Sequence, residues 1–282
     1  MNLSSLMMKI KFIIRSILLK ARGSYTLNYI IALHLYKYLP QLFPSITLPN
    51  NIRLYINDYA TLSINIPDMY ERREYFLYKD FIPDKGWIVA DIGAYVGLFS
   101  LYTSKAVSNS GLVISFEPNP LAYCWLLNNI RLNMANNIVT LPFALGNIVN
   151  RMQLYVAKEN IGASSFIMNH IIQNPAGKYT IAAEFVVPMI TFDYFMENSK
   201  QLIGRYIKNL DLVKIDVEGY ELKVLEGAKN ALKQRIIKRF IIEVHKDQIL
   251  TEEIIQYLKN YGFHVVGVNT GEIKDIVYAK LK

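Results

Sequence analysis

The sequence predicts an α/β fold: a mostly parallel sheet with helices on both faces, preceded by an N-terminal extension of helices and a hairpin. Three observations carry this. From Trp87 onward, short apolar and β-branched runs alternate with helical patterns, the signature of an open parallel sheet. The first run, Trp87 to Ile92, leads into a glycine turn, Val89-Ala90-Asp91-Ile92-Gly93-Ala94-Tyr95-Val96-Gly97, and a helical pattern starts at Leu98. Twenty residues past Gly97, a second run (Leu112 to Phe116) ends on an acid, Glu117.

Strand, glycine turn and helix together offer backbone N–H groups and a helix N-terminus to the polar tail of a ligand. Gly93 and Gly97 let that ligand approach the backbone. An acid at the position of Glu117 accepts hydrogen bonds from both hydroxyls of a ribose. These features point to a nucleoside-containing cofactor. The dinucleotide spacing G-x-G-x-x-G needs glycine at 95 and 98, where the chain has Tyr95 and Leu98. The tighter G-x-G-x-G of S-adenosylmethionine enzymes is met at two of three positions, with Asp91 where such enzymes keep an acid.

The N-terminal extension, residues 1–85, begins with Leu3, Leu6, Met7, Ile10, Ile13, Ile14, Ile17 and Leu18 at three- and four-residue steps. On a helix they fill an arc of about 140°, flanked by Lys9, Lys11, Arg15, Lys20 and Arg22. Cations interrupt each apolar stretch before it reaches the ~18 residues of a spanning helix, and no small-residue cleavage site follows, which argues against a secretory signal. Two arrangements fit residues 3–22: a helix packed on the catalytic domain or on a second copy of the chain, or a helix lying on an anionic membrane face with its lysines snorkelling. A second helical pattern runs from Leu27 to Leu39, and Pro40, Pro44 and Pro49 mark a linker. Ile52–Ile56 and Thr61–Ile66 alternate around Asn57-Asp58-Tyr59-Ala60 and read as a hairpin. A helix is expected from Tyr70, closed by Pro83-Asp84-Lys85-Gly86, where the domain boundary falls.

Residues 86–282 form the catalytic domain in this reading. Pro120 to Met134 is its second helix, Ile138 to Phe143 its third strand, and Ala144-Leu145-Gly146-Asn147 follows. Residues 151–189 interrupt the alternation with two strand-like runs, Met152–Val156 and Glu184–Met189, around a small, polar segment from Asn160 to Phe166. Alternation returns with a strand at Leu212–Val217, a helix from Tyr220 to about Leu232, a strand at Phe240–Val244 and a helix from Thr251 to Tyr261. Phe263–Val268 and Ile276–Leu281 are placed to pair as a hairpin.

Length and charge bound the function. The 282 residues bury a sizeable core without disulfides. The one cysteine, Cys124, lies in a helical pattern without a partner, reads as a small buried hydrophobe, and points to a reducing, cytoplasmic compartment. Net charge is +8, yet residues 1–60 hold seven Lys/Arg against one acid, Asp58, and so carry most of it. Nucleic-acid binders spread their cations over an exposed face, so this distribution does not predict a nucleic-acid partner.

The motifs Asp91-Ile-Gly-Ala-Tyr-Val-Gly97, Phe116-Glu-Pro-Asn-Pro120, Val187-Pro-Met-Ile-Thr-Phe-Asp193, Lys214-Ile-Asp-Val-Glu-Gly-Tyr-Glu221, Leu225-Glu-Gly-Ala228 and Ile242-Glu-Val-His245 occur in that order. Together they closely resemble the FkbM family of S-adenosylmethionine-dependent methyltransferases, over about residues 70–282. The resemblance implies a Rossmann-like, class I methyltransferase sheet of seven strands with an antiparallel last strand. It also implies S-adenosylmethionine as cofactor and O-methylation of a sugar, glycan or other small-molecule hydroxyl. Tyr95 stands where family members most often carry a polar residue, and its ring either covers the cofactor or packs.

In an open parallel sheet, ligands bind beyond the C-terminal strand ends. Gly93, Ala94, Tyr95 and Gly97 are therefore assigned to the methionine end of the cofactor, Glu117 to the ribose with Asn119 nearby, and Ala144 and Leu145 to the adenine. Asp91 serves the same site, directly or through the glycine turn, or else caps a turn. Asp216 and Glu218 end the fourth strand, and Glu243 and His245 the fifth. Residues two apart on a strand share a face, so these four converge near the reacting methyl. His245 has the pKa of a base at neutral pH, and a substrate contact, a metal contact or a structural role are its other readings. Asp216 holds the cofactor's amino group or assists the base, and Glu218 acts there or caps the following helix. The cluster also has the oxygen ligands that Mg2+ takes, so Mg2+ stands as a candidate cofactor without an assigned ligand set. Asn160–Phe166 is the candidate acceptor loop, and His34, His170 and His264 are read as surface or packing residues.

Two competing functions are an RNA methyltransferase and a membrane-associated binding protein that keeps the fold without turnover. Against the first, the fourth strand ends in Asp216-Val-Glu-Gly, not the Asn/Asp-Pro-Pro-aromatic run used on base amino groups. Against the second stand Glu117 and the Asp216–Glu221 run.

Overall fold

A computed structural model describes residues 27–42, 44–173 and 179–282. The basic helix expected over residues 3–22 lies outside the described residues. The strands are β1 (Ser45–Leu48), β2 (Ile52–Tyr55), β3 (Ile88–Ile92), β4 (Leu112–Phe116), β5 (Ile138–Leu141), β6 (Ala144–Gly146), β7 (Asn150–Ala157), β8 (Ile181–Thr191), β9 (Leu212–Ile215), β10 (Arg239–His245), β11 (Phe263–Thr270) and β12 (Lys274–Leu281). The helices are α1 (Leu27–Leu35), α2 (Ile66–Tyr70), α3 (Leu98–Val107), α4 (Pro120–Asn133), α5 (Met168–Ile172), α6 (Phe192–Ile203), α7 (Glu221–Glu226), α8 (Lys229–Lys233) and α9 (Thr251–Asn260).

A seven-stranded sheet in the order β11-β12-β10-β9-β3-β4-β5 organises the chain. The five strands from β10 to β5 run parallel, whereas β12 pairs antiparallel with both β10 and β11. The hairpin expected at the C-terminus is therefore the antiparallel edge of this sheet. Strand order reverses between β3 and β9, and that switch point opens a crevice at the C-terminal strand ends.

Both faces of the sheet are covered, so the central strands are mostly apolar and alternate between two cores, with Asp91, Ser115 and Lys214 as the buried polar positions. Ala90, Ile92, Ile114, Val213, Ile215 and Ile242 face a core shared with Phe195, Leu225, Leu232 and Ile254. Val89, Val113, Leu212, Ile241 and Ile276 face the other, shared with Phe99 and Leu101 of α3 and with Tyr29, Ile46, Leu54, Leu62 and Phe81. The described part of the N-terminal segment thus forms a covering layer on one face of the sheet.

Five local expectations are corrected. The hairpin pairs β1 with β2, not Ile52–Ile56 with Thr61–Ile66. Asn50 and Asn51, with φ of 62° and 56°, take the left-handed turn after Pro49, which asparagine tolerates. Asp58 then starts a helical turn by accepting the Thr61 N–H at 2.8 Å, and Thr61–Asn65 winds as a π-helix into α2. Second, no helix starts at Tyr70: α2 ends there, and Arg73 turns the chain at φ 52°. Third, the segment from Tyr220 to Leu232 divides into α7 and α8. A Cβ on Gly227 at the break would lie 1.9 Å from the Gly146 carbonyl oxygen, and Asp193 caps the second piece through the Asn230 and Ala231 N–H groups, each at 2.8 Å. Fourth, β5 stops at Leu141, and β6 joins β7 and β8 in a separate three-stranded sheet. The free Cys124 is exposed on α4, not buried.

Candidate active site

A cavity of about 280 Å³ lies beyond the C-terminal ends of β3, β4, β9 and β10. Gly93, Ala94 and Tyr95 form one wall, Glu117 and Asn119 a second, and Asp216, Glu218, Glu243 and His245 a third. Ala144 and Leu145 line it from β6, and residues 160–164 and 64–69 close it over.

The glycine turn is shaped by what it packs against. Gly93 has φ 77°, and a Cβ there would lie 1.8 Å from the Asp216 carbonyl oxygen, so β3 and β9 approach too closely for any side chain. Tyr95 also takes a left-handed conformation (φ 51°), which points its N–H at Glu117 Oε2, 2.7 Å away. The Tyr95 ring runs back to the N-terminal layer, where its hydroxyl donates to Asp58 at 2.6 Å and accepts from Asn57 at 2.5 Å. The ring thus packs on the segment that precedes the domain while lining the cavity.

Glu117 is buried, and its Oε1 accepts the Asn119 N–H at 2.8 Å. Burial pushes its pKa up to about 7 despite those two N–H donors. Asn119 is occupied otherwise: its Oδ1 caps α4 through the Leu121 N–H, and its Nδ2 donates to Ser164 at 3.0 Å. It fastens the expected acceptor loop to the cofactor wall.

Asp91 lies beneath the cavity and does not line it. It is fully buried, and accepts Ser100 Oγ at 2.6 Å and Lys214 Nζ at 3.2 Å. Lys214 in turn donates to the Gly93 carbonyl at 3.3 Å and pairs with Asp216 at 3.3 Å. Asp91 thus reaches the glycine turn through Lys214. Burial alone lowers the pKa of Lys214, but Asp91, Asp216 and Glu243 raise it well above the usual lysine value, so it stays a cation.

The four residues expected near the methyl do converge. His245 Nε2 lies 3.2 Å from Glu218 and 4.0 Å from Glu243, and its Nδ1 is 2.8 Å from Glu221. Tyr75 donates to Glu243 at 2.8 Å and to Asp216 at 3.3 Å. Burial works against charge on His245, but Glu218 and Glu221 outweigh it and raise its pKa well above the ordinary value. Glu218 falls below the carboxylate range: burial opposes this, and His245 and His170 overcome it. Both ring nitrogens of His245 therefore face carboxylates, which favour its protonated form.

His170 is not a surface or packing residue. It is 1% exposed on α5, with Nδ1 2.7 Å from Asp247 and Nε2 2.9 Å from Glu218. No spacing in the sequence marks it, because it reaches the site from the insertion between β7 and β8. Tyr75, Lys214 and Lys274 were missed too. Lys274 pairs with Glu243 at 2.8 Å and Glu74 at 3.2 Å. Lys214 and Glu221 stand inside the motif that carried the resemblance, and a lysine and an acid that close to a strand end were the signal available. Mg2+ finds no support: Asp216 and Glu243 are already neutralised by Lys214 and Lys274, and Mg2+ favours oxygen ligands over imidazole.

The residues fit S-adenosylmethionine. The buried acid at the end of β4 turns toward the cavity, a glycine turn flanks it, and carboxylates line the wall that a sulfonium and an ammonium would face. Sheet order, glycine turn and ribose-type acid together define an S-adenosylmethionine-dependent methyltransferase of the class I fold. Residues 91–265 match the methyltransferase FkbM domain, and the chain belongs to that family. It is similar to the methyltransferase sdnD of Sordaria araneosa (25% identical, 67% of this chain and 82% of the relative). It is also similar to the 31-O-demethyl-FK506 methyltransferase FkbM of Streptomyces tacrolimicus (27% identical, 68% and 82%). A third relative is the hexuronic acid methyltransferase AglP of Haloferax volcanii (25% identical, 56% and 56%).

Proposed function

We propose that the enzyme methylates a hydroxyl group of a sugar, a glycan or a similar small hydroxylated acceptor. The observation that carries this reading is the cavity wall built from Asp216, Glu218, Glu243 and His245, with Tyr75 beside them. Such a wall hydrogen-bonds hydroxyls and offers carboxylates to receive a proton. The relatives add weight, one being a hexuronic acid methyltransferase and another a 31-O-demethyl-FK506 methyltransferase.

S-adenosylmethionine, when bound, supplies a methyl group already activated on a sulfonium. Glu117 holds the ribose, with the glycine turn and residues 144–145 beside it. Holding the acceptor oxygen in line is worth about 7–11 kcal/mol at best, and the closure of the cavity by residues 160–164 serves that end. Asp216 receives the acceptor's proton: its side chain is 22% exposed to the cavity, and Tyr75 and Lys214 fix its orientation. A base of this kind contributes about 10²–10⁴-fold. His245 orients Glu218 through its Nε2, 3.2 Å away.

Labelled S-adenosylmethionine and a panel of uronic acids, glycans and lipid-linked sugars test the proposal. Methyl ethers or esters distinguish themselves by alkali stability. Alkali-stable transfer to a hydroxyl, lowered about 10²–10⁴-fold by Asp216→Asn, is the expected result. Transfer only to a carboxyl or to RNA refutes it.

A further inference from the structure

His170, Glu218 and His245 meet at one wall of the cavity although they come from three parts of the chain. His170 arrives on α5 from the inserted segment, Glu218 follows β9, and His245 ends β10. His170 Nε2 and His245 Nε2 lie 2.9 Å and 3.2 Å from the same oxygen, Oε2 of Glu218. The ligand-type atoms of the three residues all fall within 4.8 Å of one another. The two imidazole rings are nearly perpendicular, at 87°, with centroids 5.3 Å apart.

The outer nitrogen of each ring is held in the same way. His170 Nδ1 lies 2.7 Å from Asp247 Oδ2, and His245 Nδ1 lies 2.8 Å from Glu221 Oε1. A carboxylate on Nδ1 keeps the proton there and aims Nε2 inward, the arrangement found behind histidines that bind metals. Glu221 is itself fixed, because its Oε1 also accepts the Gly219 N–H at 2.9 Å.

We propose that His170 Nε2, Glu218 and His245 Nε2 bind one divalent first-row transition metal ion. Tetrahedral Zn2+ with bonds of about 2.0–2.1 Å holds its ligands about 3.3 Å apart; both nitrogens already stand near that spacing from Glu218, and the two imidazoles close on each other from within 4.8 Å. Two nitrogens and one oxygen suit Zn2+, Mn2+ or Fe2+ better than Mg2+. On binding, the metal takes the two Nε2 lone pairs. The Nε2 protons pass to solvent, and those on Nδ1 stay with Asp247 and Glu221. Glu218 and His245 line the cavity and His170 stands behind them, so the remaining coordination positions open toward the acceptor side. The site does not depend on which acceptor the enzyme uses.

The test uses the full chain without a histidine tag, stripped with a chelator and titrated with Zn2+ against a chromogenic competitor, and separately with Co2+ for its visible absorption. One Zn2+ per chain at submicromolar Kd is expected, with an intense d–d spectrum from Co2+ and no competition from Mg2+. His170→Ala weakens binding at least about 100-fold, Asp247→Asn about 10–100-fold, and His264→Ala leaves it unchanged. Far-ultraviolet circular dichroism confirms that each variant is folded, and His170→Asn replaces His170→Ala if the latter is not. Binding that is absent or not stoichiometric in the wild type overturns the proposal. So does wild-type affinity in a folded His170 variant.

Discussion

The carboxylate of Glu117 lies 2.7 Å from the backbone N–H of Tyr95, so the acid at the end of β4 and the glycine turn after β3 are one hydrogen-bonded unit. The unit exists because Tyr95 accepts a left-handed backbone, at φ 51°, between two glycines that do the same. A ligand that engages one half of it engages the other.

The protonation of Glu117 makes cofactor affinity depend on pH. Burial raises its folded-state pKa from 4.5 to about 7. With that sign, the group favours the ligand-free fold fully below 4.5, and this contribution is lost as pH rises through about 7. Hydroxyl donors from a ribose favour the ionised form, so affinity for S-adenosylhomocysteine rises about tenfold from pH 6 to pH 8. Calorimetry at several pH values checks this, with Glu117→Gln weak and flat over the same interval.

Gly93→Ala and Gly204→Ala separate packing from backbone strain. Both glycines have positive φ, 77° and 72°. At Gly204 a Cβ meets nothing within 4 Å, and the cost is that of the left-handed backbone alone, about 1–2 kcal/mol. At Gly93 the Cβ would sit 1.8 Å from the Asp216 carbonyl oxygen. Alanine there forces β3 and β9 apart, at about 4 kcal/mol or more, a size reserved for such clashes. Urea denaturation of the two variants gives the contrast.

Lys214→Met leaves Asp91 buried without its cation. Ser100 still bonds Asp91, at 2.6 Å, but the lost ion pair costs about 3–5 kcal/mol. Lys214→Met combined with Asp91→Leu recovers part of that loss, and equilibrium unfolding of the single and double variants measures the coupling.

Tyr95→Phe releases the N-terminal layer. It removes a hydroxyl bonded to Asp58 and Asn57, at about 1–3 kcal/mol. Limited proteolysis should cut the segment around residues 57–61 faster in the variant, while the seven-stranded sheet resists as before.

What was legible in the sequence followed from local pattern. Trp87–Ile92, Gly93–Gly97 and Glu117 announced strand, turn and acid, because a buried parallel strand is apolar throughout and its functional residues cluster at one end. Glu243 and His245 were legible for the same reason, being two apart on β10 and so on one face, whereas Asp216 and Glu218 lie past the end of β9 and Glu218 joins them through a left-handed turn at φ 53°. His170 was not, because its position depends on an insertion folding back over β9 and β10, and nothing about Met168-Asn169-His170 encodes that closure. The partner of Asp91 was not legible, for Lys214 sits 123 residues away. The 52–66 hairpin failed because alternation looks alike in a strand and in a short helical turn. Asp58, which caps that turn, was read as part of a loop.

Titration of the wild type and of Glu117→Ala with S-adenosylhomocysteine in a calorimeter tests the central claim most directly. Binding by the wild type near the micromolar range, reduced at least about 100-fold in the variant, is the predicted result, since the variant loses hydrogen bonds to a charged group worth about 1.5–3 kcal/mol each. No binding by a well-folded wild type, or equal binding by both proteins, would contradict the assignment of this cavity as the cofactor site.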